Sequence, residues 1–183
     1  ITTAADAEPG VPAGSVEIVS RGDVLVREPI EPGSGVFGPA DVNAAGTTGG
    51  SISLVGGDIA FRNVDASGTS GPAGDVTIDA AGSVIATYSG GTTLTPPGSI
   101  LATGAAGGSV EIKAETYAVL GTIDSSGSSF DAGKITIVAG ADVRSTTFIA
   151  YGYSSSRAAY YSPALRATSD SAAGGRVEVS SGT

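Results

Sequence analysis

A glycine, a polar residue and then an apolar-polar-apolar triplet recur six times along the chain. The copies are Gly14-Ser15-Val16-Glu17-Ile18, Gly50-Ser51-Ile52-Ser53-Leu54, Gly74-Asp75-Val76-Thr77-Ile78, Gly108-Ser109-Val110-Glu111-Ile112, Gly133-Lys134-Ile135-Thr136-Ile137 and Gly175-Arg176-Val177-Glu178-Val179. Each follows Ala or Gly, so the turn before it is repeated too. Period-2 alternation puts the apolar side chains of every copy on one face, as a strand half-buried against a core requires. The other face carries Glu17, Ser53, Thr77, Glu111, Thr136 and Glu178. Stacked in order at ~4.8 Å, the glutamates are separated by Ser or Thr, which limits like-charge repulsion.

A second strand follows most copies, as in Gly22-Asp23-Val24-Leu25-Val26, Gly57-Asp58-Ile59-Ala60-Phe61 and Gly82-Ser83-Val84-Ile85-Ala86. The match weakens to Tyr117 through Leu120 in the fourth coil and Ala141 through Val143 in the fifth. A third strand closes each coil at Val42-Asn43-Ala44-Ala45-Gly46, Val64-Asp65-Ala66-Ser67-Gly68, Ile100-Leu101-Ala102-Thr103-Gly104, Ile123-Asp124-Ser125-Ser126-Gly127 and Leu165-Arg166-Ala167-Thr168-Ser169. Three short strands per coil, with Gly and Ser at the corners, predict an all-β chain: one right-handed parallel β-solenoid domain over residues 1–183, of about five triangular coils.

Successive anchor glycines lie 36, 24, 34, 25 and 42 residues apart, so long and short coils alternate. The surplus falls between the second and third strands, near 27–41, 88–99 and 148–164. Equivalent positions stack, so these insertions are expected to leave from one side of the solenoid.

Composition agrees with this pattern. There are 29 glycines and only 15% charged residues, and the residues that propagate helices are sparse. With no Cys and no His, the chain offers no disulfide, thiolate nucleophile, imidazole base or Cys/His zinc site. The absence of Cys and Met fits exposure to oxidants outside a cell. A net charge of -9 opposes nucleic-acid binding, which depends on Lys and Arg at phosphates, and anionic membrane surfaces. No apolar stretch approaches the ~20 residues of a membrane span, and no basic-then-apolar leader opens the chain. The missing initiator Met implies a processed N-terminus or a longer polypeptide.

The pairing of Gly107-Gly108-Ser109-Val110-Glu111-Ile112 with Val64-Asp65-Ala66-Ser67-Gly68 and its cognates resembles the β-helical shafts of filamentous-haemagglutinin-type exoproteins, large secreted bacterial adhesins. The likeness spans nearly the whole chain and concerns architecture. The Asn-Pro-Asn-Gly signature of that family's secretion domain does not occur in these residues. The resemblance implies a non-enzymatic structural or adhesive component of an extracellular bacterial fibre at the cell surface. Its expected partners are further copies stacked head to tail, adjoining solenoid segments, or a host or neighbouring-cell surface glycan or protein. The alternative is a β-helical carbohydrate-active enzyme or a phage tail-spike-like glycan binder; no cluster of Lys, Arg and acidic residues marks a cleft for either.

Candidate chemistry is thin. Arg21-Gly22-Asp23 reads as an integrin-type tripeptide, but Gly-Asp recurs at Gly57-Asp58 as the turn into the second strand. Asp23 and Asp58 fall on adjacent rungs about 5 Å apart, near the carboxylate separation of retaining glycosidases. Asn43 and Asp65 form a second stacked pair. The structural account of both pairs is turn formation, the side chains bonding nearby backbone. No catalytic residue and no cofactor is assigned. Calcium, which takes oxygen ligands, would suit either pair, although the Gly-Gly-x-Gly-x-Asp nonapeptide of calcium-binding β-rolls is absent from the sequence. Regular outward Thr ladders, which an ice-binding face needs, do not line up over successive rungs.

The third insertion gathers Tyr151, Tyr153, Arg157, Tyr160 and Tyr161, a composition suited either to recognition or to a small aromatic cluster over the coil flank. The chain opens near a third strand (Ile1-Thr2-Thr3-Ala4) and ends just after a first strand at Val179. Uncapped solenoid ends expose strand edges and core side chains, so Val177 and Val179 are expected at an assembly junction.

Overall fold

The computed structural model describes residues 12–29, 37–86, 98–145, 165–166 and 175–182. Its first coil comprises β1 (Val16–Val19), β2 (Val24–Leu25), β3 (Arg27–Pro29), β4 (Phe37–Pro39) and β5 (Val42–Asn43). The second holds β6 (Ile52–Gly56), β7 (Ile59–Phe61) and β8 (Val64–Asp65), and the third β9 (Val76–Ala80), β10 (Val84–Ala86) and β11 (Ile100–Leu101). The fourth holds β12 (Val110–Ala114), β13 (Ala118–Leu120) and β14 (Ile123–Asp124), and the fifth β15 (Ile135–Ala139), β16 (Val143–Ser145) and β17 (Leu165–Arg166). β18 (Val177–Ser181) is the first strand of a sixth rung. No helix occurs among the described residues.

Equivalent strands of successive coils stack on one another. Three parallel sheets result: sheet I runs β1-β6-β9-β12-β15-β18, sheet II β2-β7-β10-β13-β16, and sheet III β5-β8-β11-β14-β17. This is a parallel β-solenoid, as the repeat predicts. In sheet I, Val16, Ile52, Val76, Val110, Ile135 and Val177 are successive register partners, so the first apolar position forms one continuous column. Ile18, Leu54, Ile78, Ile112, Ile137 and Val179 form the second. Sheets II and III add Val24, Ile59, Val84 and Ala118, and Val42, Val64, Ile100 and Ile123, all buried. These columns make a single core, with Phe61 its largest fully buried side chain.

The recurrent glycine has a steric cause. A Cβ at Gly50, Gly74, Gly108 or Gly133 would overlap the carbonyl oxygen of the anchor glycine one rung earlier. Only a residue without a side chain lets the backbone stack this closely at the corner. The same glycine closes its coil. Its N–H donates to a third-strand carbonyl: Gly50 to Ala44, Gly74 to Ala66, Gly108 to Ala102 and Gly133 to Ser125. The partners are six residues apart after the first and third coils and eight apart after the second and fourth. The longer corners, running from Gly68 and from Gly127, wrap the shorter ones, as Thr69 N–H bonds Gly46 O and Ser128 N–H bonds Gly104 O. The first four coils therefore alternate in two places: the long ones carry an insertion and a short corner, the short ones no insertion and a long corner.

Two details differ from the repeat as read. In the fifth coil Val143 takes the expected column, pairing with Ala118, but the strand runs on to Ser145, past the Ala141 through Val143 match. Asp142 thereby takes the turn position held by Asp23 and Asp58. Within the 27–41 insertion, β3 and β4 form an antiparallel hairpin, Arg27 opposite Pro39. The insertions near 88–99 and 148–164 lie almost entirely outside the described residues; only Gly98 and Ser99 of the former are described.

Candidate functional site

The stacked carboxylates lie at the corner between sheets I and II. Asp23 Oδ1 accepts the backbone N–H of Asp58 at 3.0 Å, and Asp58 Oδ1 accepts that of Ser83 at 2.7 Å. Each carboxylate therefore caps the amide of the next rung, the turn-forming role. Arg21-Gly22-Asp23 sits at this same corner, where Gly22 O accepts from Gly57 N–H. Asn43 and Asp65 act within their own coils. Asn43 Oδ1 accepts from Ala45 N–H at 2.8 Å and Asp65 Oδ1 from Ser67 N–H at 2.9 Å, and Asp124 repeats the arrangement with Ser126. Among the described residues no group of three or more acidic side chains could hold a metal ion.

The corner between sheets II and III carries a polar cluster that spans three coils. The Arg62 guanidinium grips Asp41 with two bonds, Nε to Oδ1 at 2.7 Å and NH2 to Oδ2 at 2.6 Å. Asn63 Nδ2 donates to the same Asp41 Oδ1, and Asn63 Oδ1 accepts from the backbone N–H and hydroxyl of Ser99. The Arg62 hydrogen bond, opposed in part by desolvation, holds the Asp41 carboxyl below its ordinary range. Asp41 and Ser99 are the residues at which the first and second insertions, those of the first and third coils, rejoin the coil. The cluster thus ties both insertion bases to the plain coil between them. Spacing alone does not reveal it, since its members meet only once the register is set.

The three outer faces differ. Sheet I presents mainly polar and charged side chains, with exposed Val19 and Val138 among them, and pairs Lys113 with Glu111 at 2.8 Å and Lys134 with Glu178 at 2.6 Å. The Lys134 bond, supported by Arg176, holds the Glu178 carboxyl low and ties β18 to β15. Sheet III presents Asn43, Asp65 and Asp124 with one Leu101. Sheet II presents an apolar row, Leu25, Ala60, Ile85 and Val119, in register over four rungs. β2, β7, β10 and β13 are apolar at every position, the pattern of strands covered on both sides, whereas β16 brings in Arg144 and Ser145. At one end of this row, Tyr117, Val119, Ala141 and Asp142 line an open depression of about 360 Å³.

The expected assembly residues part company. Val177 and Val179 continue the two inner columns of sheet I but are 40% and 48% exposed, against 0% and 1% for Ile135 and Ile137 one rung earlier. Tyr151, Tyr153, Arg157, Tyr160 and Tyr161 lie outside the described residues. Comparison with family models, curated proteins and solved structures yields no significant match to this chain.

Proposed function

We propose that the chain is a structural and adhesive β-solenoid component of an extracellular bacterial fibre, whose coils stack head to tail on further solenoid coils. The observation that carries this reading is the unbroken register of sheet I, in which each described rung templates the next. β18 keeps the register of sheet I through five residue pairs, yet its inward valines are open where the preceding rung is sealed. A further parallel rung would cover them, extend the main-chain ladder and leave the outward charges undisturbed. Such a contact is heterologous and need not close, so it produces a fibre rather than a ring. The likeness to secreted adhesin shafts supports the extracellular surface and the structural role, and the lack of Cys and Met is compatible with an oxidising exterior.

Light scattering across a concentration series tests the reading. The chain is expected to associate end to end, and Val179→Lys, which charges the open column, is expected to abolish association with little loss of thermal stability. A chain that stays monomeric at all concentrations, or a Val179→Lys variant that associates unchanged, defeats head-to-tail stacking.

A further inference from the structure

Tyr117 departs from the rule of its own column. The position that opens the second strand is occupied by Asp23, Asp58, Ser83 and Asp142 in the other coils, all short and polar. Tyr117 keeps the backbone ladder of that column, its carbonyl accepting from Val84 N–H and Asp142 O accepting from Ala118 N–H. The fold therefore does not require the phenol. Its side chain stands 40% exposed at the edge of the depression it forms with Val119, Ala141 and Asp142. A large amphipathic side chain where the repeat calls for a turn former is the kind of local departure that marks a working position.

We propose that this depression is a subsite for one pyranose unit of a neutral saccharide. The Tyr117 ring forms its stacking platform, Val119 and Ala141 its apolar wall, and the Asp142 carboxylate its hydroxyl acceptor. A pyranose has an apolar C–H face and a rim of hydroxyls. Tyrosine offers the matching pair, a broad apolar ring and a hydrogen-bonding tip. An exposed carboxylate accepts hydroxyl protons in charge-assisted bonds. The volume of about 360 Å³ lies at the small end of ligand sites and suits a single ring. Charge favours neutral saccharides: the chain carries -9 and Asp142 lines the site, although Arg144 is the register partner of Val119, so sulfated and carboxylated sugars are disfavoured by the net field. One open subsite binds weakly, with a dissociation constant on the order of 1 mM, and gains strength where many copies are displayed together. The proposal deepens the adhesive reading, and only the gain from multiple copies rests on it.

The test is titration of the intact chain with maltotetraose, cellotetraose and mannotetraose, followed by amide NMR shifts. At least one is expected to give saturable shifts centred on Tyr117, Val119, Ala141 and Asp142. Tyr117→Ser, which installs the residue that Ser83 already supplies to this column, is expected to weaken binding at least about tenfold. Tyr117→Phe, which keeps the platform, should lose about threefold or less. A heparin-derived tetrasaccharide should bind at least about tenfold more weakly than the best neutral sugar. If Tyr117→Ser fails to fold, Ala141→Trp, which fills the depression from an exposed position, gives the same comparison. Shifts absent with all three sugars, or unchanged in these variants, overturn the site. Sugar binding by a strictly monomeric chain supports the site while defeating the fibre. A fibre that ignores all three sugars defeats the site and leaves the fibre standing.

Discussion

The fourth coil and the sixth rung present like apolar pairs to the same two columns in different surroundings. Val110 and Ile112 are 1% and 0% exposed between rungs on both sides; Val177 and Val179 keep the pattern, but with β15 as their one sheet partner among the described residues. Burial in a solenoid is therefore a property of neighbours. An apolar column is worth its transfer free energy only where a rung lies above and below it.

The sharpest test of this contrast places a carboxylate at each site. Val110→Asp should cost about 4 kcal/mol or more, because it buries an unpaired charge between apolar rungs. Val177→Asp in the isolated chain should cost about 1 kcal/mol or less, since water reaches that position. Chemical denaturation measures both; equal losses would show that the column is not sealed by its neighbours. Truncation gives a smaller version of the same contrast. Ile112→Ala should cost about 2–5 kcal/mol and Val179→Ala under about 1 kcal/mol, and association of chains should raise the second value toward the first.

A third prediction sets the tied insertion bases against the rest of the solenoid. Arg62 depresses the Asp41 carboxyl below its ordinary value of 3.8. The resulting stability is fully present above that value and is lost as pH falls through the lower folded value. Acid should therefore loosen the Asp41, Asn63 and Ser99 corner, and Asp41→Asn should flatten that part of the pH profile of hydrogen exchange. The smallest effect is expected at Ser125, buried where the first three coils place Ala44, Ala66 and Ala102. Its hydroxyl makes a 3.4 Å contact to Gly133 O, so Ser125→Ala should change stability by about 0.5 kcal/mol or less in thermal unfolding.

The register of sheet I was legible in the sequence because two constraints coincide at each copy. Alternation selects the inward residues, and the anchor glycine admits one stacking position. The second strands were harder to bound: with apolar residues on both faces, as in Val84-Ile85-Ala86, alternation does not say where pairing ends, and the fifth-coil match stopped at Val143 although the strand continues to Ser145. The alternating corners did leave a signal, the spacing from Gly46 to Gly50 against that from Gly68 to Gly74, but it reads as loop variation until the hydrogen bonds are seen. The Asp41, Arg62, Asn63 and Ser99 cluster joins three coils and has no signature within any one of them. Tyr117 was visible only as a weakened match, and its environment comes from Asp142 one coil later.

The alternation of long and short coils also settles a problem of crowding. A segment that leaves a coil and returns needs room for two chain passages, roughly 10 Å at the ~4.8 Å spacing of neighbouring strands. Insertions on every rung would compete for the same space. Placing them on every second rung supplies that width, and the plain coil between them provides Arg62 and Asn63 as a fixed spacer to which the bases of the first and second insertions are tied. The solenoid thus works as a graduated scale whose marks stand two rungs apart. Lengthening it by a pair of coils would add another mark in phase, whereas adding a single coil would bring two insertions onto adjacent rungs or leave a gap between them.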